Sequence, residues 1–126
     1  MNKNVLQNDI LLLHDIWVLR SISYEGLPAE LDDKEMNMPV LEIHVVEKKL
    51  YGNDGCNDIF GSIETLDSTS ISFVKIGATK MLCPNMVLPT AYTKALYQVR
   101  TYKRIGLELL LFDDDDKEIL RFQKVD

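Results

Sequence analysis

Two cysteines, two histidines and one tryptophan are all that the 126 residues contain of those types. No apolar run reaches the roughly 18 residues that would span a bilayer as a helix. The stretch ILLLHDIWVL is broken by His14 and Asp15, which excludes a helical membrane span there. Positive charge is also scarce: 14 basic residues stand against 20 acidic ones, a net charge of -6. That field repels phosphate backbones and anionic lipid head groups, so nucleic acid is excluded as an expected partner. The one tight basic cluster, Arg100, Lys103 and Arg104 beside Tyr97 and Tyr102, is too narrow for a nucleic-acid footprint and reads as solvated surface. The N-terminal MNKNVLQND lacks the apolar core and cleavage pattern of a signal peptide. Either the protein stays in the cytoplasm or a signal was trimmed ahead of Met1.

Motifs of established chemistry are missing too. No C-x-x-C or H-x-x-x-H pair supports a zinc site, and neither His14 nor His44 stands in a recognisable catalytic pattern. No metal and no cofactor are expected. The FDDDDKE stretch holds four adjacent aspartates that mostly repel one another and face water, which makes it a weak cation site at best.

What remains is a globular composition, 46% hydrophobic and 27% charged, in a chain of ordinary single-domain length, and one domain over residues 1–126 is expected. Short strand-like runs dominate. DIWVLRSIS (15–23) alternates with a period of two and offers Trp17 as a core anchor. The following YEGLPAELDDKEMNMP reads as a wandering loop. VLEIHVVEKKLYG reads as a hairpin with Leu41, Ile43 and Val45 on one face and His44 on the polar one, and SIETL and SISFVKI as two further strands joined by DSTS. NMVLPTAYTKALYQVRTY has apolar residues at spacings of three and four, and predicts one helix with Pro89 and Thr90 in its first turn. LELLLF and ILRFQKV form a last hairpin around Asp113 to Asp116.

The segment YGNDGCNDIFGSI (51–63) packs three glycines, two asparagines, two aspartates and a cysteine between apolar runs. A phosphate-binding loop needs a lysine followed by Ser or Thr at a helix start, and this segment has no lysine and leads into a strand. A calcium loop needs acids at alternate positions, which Asp54, Asp58 and Glu64 do not supply. A tight strand-to-strand turn is the preferred reading, with ligand contact as a secondary role.

Together, the G-x-x-G-C-N-x-x-x-G pattern in this segment, the later ATKMLCP, the helix containing ALYQV and the closing LELLLFDDDDKEILRF resemble the META/HslJ domain family of bacterial lipoproteins and secreted or envelope proteins. The opening IWVLRSI fits that family's pattern around its tryptophan. The resemblance implies a mainly β fold, an antiparallel barrel-like meander closed by a single α-helix, usually outside the cytoplasm, with no established catalytic activity. It also implies a link to stress or antibiotic tolerance. Membrane association would come only through a lipid anchor that this chain does not carry.

In an oxidising compartment Cys56 and Cys83 would favour a bridge, contributing on the order of 3 to 4 kcal/mol in the loop-entropy model. Two buried thiols, or neighbouring thiols that never oxidise, are the alternatives. Trp17, Tyr51, Phe60, Phe73, Leu96 and Phe112 are expected to line or close the core. Met81, Leu82, Met86 and Leu88 are expected in the core or covering the helix, not as a docking strip. The preferred function is a noncatalytic binding or structural module that engages an apolar small molecule or an envelope protein, with Asn53, Asp54, Asn57, Tyr92 and Tyr97 as contact candidates. The alternative is a thiol-based redox or small-molecule-modifying enzyme using Cys56 or Cys83.

Overall fold

The computed structural model describes residues 10–24 and 38–125. Its strands are β1 (Ile16–Ile22), β2 (Val40–His44), β3 (Lys49–Asn53), β4 (Asp58–Leu66), β5 (Ile71–Ala78), β6 (Thr101–Ile105), β7 (Glu108–Phe112) and β8 (Glu118–Lys124); helix α1 (Val87–Gln98) lies between β5 and β6. All eight strands form one antiparallel sheet in the order β5-β4-β3-β2-β1-β8-β7-β6, curled into a half-barrel. The mainly β fold with one helix expected from the sequence is therefore present. The wandering loop expected over 24–39 falls mostly on 25–37, outside the described residues.

Alternation explains which residues turn inward, because successive side chains of a strand point to opposite faces. Leu41 and Ile43 on β2, Leu50 on β3, Ile59 and Ile63 on β4 and Phe122 on β8 are all buried. On β1 the rule holds for Trp17 and Leu19, then a register shift against β8 between Leu19 and Ser21 brings Ile22 to the core as well. The buried Trp17 indole N–H donates to the Leu13 carbonyl at 3.1 Å, and Arg104 stacks over the ring at 5.5 Å.

Tyr51 and Phe60 depart from the expected core. They pair directly across β3 and β4 and are 39% and 48% exposed, because their neighbours Leu50 and Ile59 take the inward positions. Trp17, Phe73 and Leu96 are buried as expected, and Phe112 is half-buried. The predicted helix is also too long by a few residues. It ends at Gln98, Val99 is already extended, and Thr101 begins β6, which turns into β7 through Gly106. Its N-cap is Met86, with Pro89 inside the first turn and no side-chain cap from Thr90.

The edges of the sheet, β5 and β6, face each other across an incomplete seam. Near its latched end, the Ile71 N–H donates to the Arg100 carbonyl and the Tyr102 N–H to the Thr69 carbonyl. The turn there is held by Asp67, which accepts the N–H groups of Thr69 and Ser70, and these bonds hold its carboxyl below its ordinary pKa. Farther along the seam the strands part, and α1 packs against β5 with Leu88, Ala91, Tyr92, Ala95 and Leu96 buried. An unpaired strand edge invites association with other chains. Here Tyr97 blunts it: the Ile76 N–H donates to the Tyr97 hydroxyl at 2.8 Å, and that hydroxyl donates to the Ile76 carbonyl at 3.3 Å.

Candidate functional site: the disulfide-anchored loop

The segment 51–63 runs through the end of β3, a four-residue turn and the start of β4. Gly52 is required by close approach: a Cβ there would meet the Val40 carbonyl oxygen at 1.9 Å. Gly55 sits at φ 102°, a conformation that side-chain-bearing residues rarely adopt.

Asp54 and Asn53 direct their side-chain oxygens to the backbone of the turn itself. Asp54 is buried, and its Oδ1 accepts the N–H groups of Cys56 at 2.9 Å and Asn57 at 2.6 Å. The Asp54 N–H donates to the Asn57 carbonyl, and the Gly55 N–H to Asn53 Oδ1 at 2.7 Å. This is the local capping by which Asn and Asp stabilise turns.

Asn57, also buried, reaches outward to a second segment. Its Nδ2 donates to the Met81 carbonyl at 2.9 Å, while its Oδ1 accepts the Met81 N–H at 2.6 Å and the Thr79 hydroxyl at 2.9 Å. The Asp58 N–H donates to the Thr79 hydroxyl oxygen, and the Thr79 N–H returns to the Asp58 carbonyl. Next to these bonds, Cys56 and Cys83 are joined by a disulfide with Cα atoms 6.0 Å apart. With both sulfurs in one bond, neither cysteine presents a thiol.

Residues 79–83 are thus tied to the turn by a covalent bond and by the Asn57 side chain, although they have no regular secondary structure of their own. The apolar pair inside that segment faces water. Met81 is 61% exposed and Leu82 88% exposed, and Val87 at the start of α1 is exposed as well. The expectation of a core position for Met81 and Leu82 is overturned by their exposure, while Leu88 is buried as expected.

The other contact candidates separate. Tyr92 lies in the core with its ring 6.2 Å from Phe122 at an interplanar angle of 65°, and its hydroxyl has no hydrogen-bond partner. Burial above all, and then the charge of Asp54, push that hydroxyl far above the usual tyrosine pKa. Tyr97 sits at the seam, beside a groove of about 570 Å³ lined by Glu64, Ser72, Phe73, Arg100 and Thr101. A second groove, about 380 Å³, runs along α1 between Tyr24, Met86, Val87, Thr90, Ala91 and Lys94.

The two histidines are neighbours, 5.2 Å apart and edge to face. The Val45 N–H donates to His14 Nδ1 at 3.1 Å, and His44 has Glu42 and Glu47 within 4 Å.

The sequence pattern of the META domain matches residues 11–126. The chain belongs to the META domain family. This META domain shares its fold with a protein from Burkholderia xenovorans solved by NMR, at a TM-score of 0.71 and 22% identity over 94% of this chain and 87% of that one. A crystal structure of a DUF4847 family protein from Bacteroides vulgatus aligns at a TM-score of 0.61 and 15% identity, covering 90% of this chain and 96% of the other. At such identities the likeness speaks for the fold alone. No curated protein matches the chain. The family is one without a known enzymatic activity, so the geometry of the anchored loop is what a functional reading of this META domain has to work with.

Proposed function

We infer that this META domain is a noncatalytic binding module working outside the cytoplasm, and that it meets an envelope protein through the Met81–Leu82 segment. The observation behind this reading is that Leu82 is 88% exposed on a segment fixed at both ends of a short span, by Asn57 at Met81 and by the disulfide at Cys83. A large apolar side chain held in water gains from being covered, and a rigid presenter loses little conformational entropy when it is. The intramolecular disulfide supports an oxidising compartment.

A photo-crosslinking residue placed at position 82 tests this in cells of the native host. Val46, 83% exposed in the turn between β2 and β3, serves as the control for an exposed apolar residue without such anchoring. A discrete crosslinked species from position 82 and none from position 46 is expected. Equal crosslinking at both positions, or none at 82, would refute the assignment.

A further inference from the structure

The basic cluster that reads as solvated surface in the sequence comes apart in the fold. Arg100 closes the end of α1, its Nη1 donating to the carbonyls of Tyr97 and Val99. Arg104 follows the strand alternation of the buried Tyr102 and turns to the same face of β6. There its guanidinium lies 5.5 Å from the Trp17 ring, with Nη1 donating to the Leu12 carbonyl at 3.1 Å and Nε to the Gly106 carbonyl at 3.2 Å. One aromatic ring and two carbonyls hold the group in place without neutralising it. Lys103 leaves from the opposite face of β6, its Nζ 5.5 Å from the centre of the Phe112 ring. Among the described residues, acids pair with His44, Arg121 and Lys124, and none lies within 4 Å of Lys103 or Arg104.

Both cations line one groove of about 580 Å³, together with Ser68 and Thr69 of the β4–β5 turn and with Leu12 and Ile105. Leu12 and Ile105 are exposed apolar side chains, so the groove has greasy walls as well as positive charge. Asp67, the acid of the adjoining turn, spends its Oδ1 on the N–H groups of Thr69 and Ser70 and is not part of the lining. A molecule of net charge -6 thus keeps one local site of the opposite sign. The planar guanidinium matches a carboxylate, and the apolar walls gain by covering hydrocarbon. An inorganic anion would leave Leu12 and Ile105 in water, and a neutral hydrocarbon would strip water from two charges without replacing it. A ligand that carries both parts satisfies the whole groove.

We propose that this groove binds an amphiphilic carboxylate, with the acid head on Arg104 and Lys103 and the hydrocarbon body along Leu12 and Ile105. The contacts to Trp17, Leu12 and Gly106 hold the Arg104 head group before any ligand arrives, which lowers the entropy lost on binding. The groove shares no residue with the Met81–Leu82 segment, so the two readings stand or fall separately.

The test titrates decanoate, decanol and acetate into the full chain, below the concentration at which decanoate forms micelles, and reads backbone amide shifts by NMR. Decanoate is expected to give saturable shifts centred on residues 68–69 and 102–106. Decanol, which keeps the chain but not the charge, should bind roughly tenfold more weakly or worse, as for a lost charge-assisted hydrogen bond, and acetate, which keeps only the head, should also be weaker. Lys103→Gln removes a charge without touching the packing on Trp17, and should weaken decanoate roughly two- to fivefold while leaving decanol unchanged. Arg104→Met keeps an apolar cover over Trp17 and should abolish the preference for the acid over the alcohol; if that variant does not fold, Lys103→Gln decides. The proposal is overturned if decanoate shifts no residue of the groove, if decanol or acetate binds as tightly as decanoate, or if Lys103→Gln binds decanoate as the wild type does.

Discussion

The β7–β8 turn and the β3–β4 turn are each capped by an aspartate, and they are put to different uses. In the β7–β8 turn, Asp113 accepts the N–H groups of Asp115 and Lys117, its own N–H donates to the Lys117 carbonyl, and the Asp116 N–H returns to the Asp113 carbonyl. All of those bonds stay within the turn, and Asp114, Asp115 and Asp116 are exposed. In the β3–β4 turn, Asp54 does the same local capping, but Cys56 and Asn57 beside it hold a segment more than twenty residues onward. The acidic residues are similar; the reach of their neighbours differs. A cluster of carboxylates therefore says little about a site, whereas a turn that fixes a distant irregular segment fixes whatever that segment displays.

Substitutions in and around the two turns sharpen this contrast. The largest effect is expected from Gly52→Ala, whose new methyl group would run into the Val40 backbone where β3 enters the first turn. A loss of about 4 kcal/mol or more, or failure to fold, should appear in thermal or chemical denaturation. Replacing both Cys56 and Cys83 by serine should cost roughly 3 to 4 kcal/mol, read as a lower denaturation midpoint than that of the oxidised protein. Asn57→Ala leaves the backbone groups of Met81 without their partner and should cost roughly 1 to 3 kcal/mol, with changed amide shifts over residues 79–83. In the second turn, Asp113→Ala should cost only about 1 kcal/mol, with shift changes confined to residues 113–117. Asp114→Asn should stay within about 0.5 kcal/mol of the wild type. If Asp113→Ala weakened the protein more than Asn57→Ala, the contrast between the turns would collapse.

Much of the architecture was legible in the sequence because the half-barrel is built from local hairpins, whose period-two alternation is printed in stretches such as VLEIH and ILRFQ. The turn at 54–57 was legible for a similar reason: glycine, asparagine and aspartate supply both the backbone freedom and the capping groups that a tight turn needs. Strand β6 was harder to see. Val99 continues the helical spacing of Leu96, and only the extended backbone at Val99 and the turn at Gly106 assign the following residues to a hairpin. Tyr51 and Phe60 looked like core because aromatic residues usually are, yet one residue of register separates them from the buried Leu50 and Ile59. Exposure at Met81 and Leu82 could not be read at all from periodicity, since the segment has none. The available signal was its position, an apolar pair immediately before a cysteine in a stretch without regular structure.

Amide hydrogen exchange at Met81 tests the anchoring most directly. Its N–H donates to Asn57 Oδ1 at 2.6 Å even though the surrounding segment is exposed and irregular. The expected result is slow exchange at Met81 beside fast exchange at Lys80 and Leu82, with the protection lost in Asn57→Ala. Exchange at Met81 as fast as at its two neighbours would show that the turn does not hold the segment, and the contact surface built on it would fall with that result.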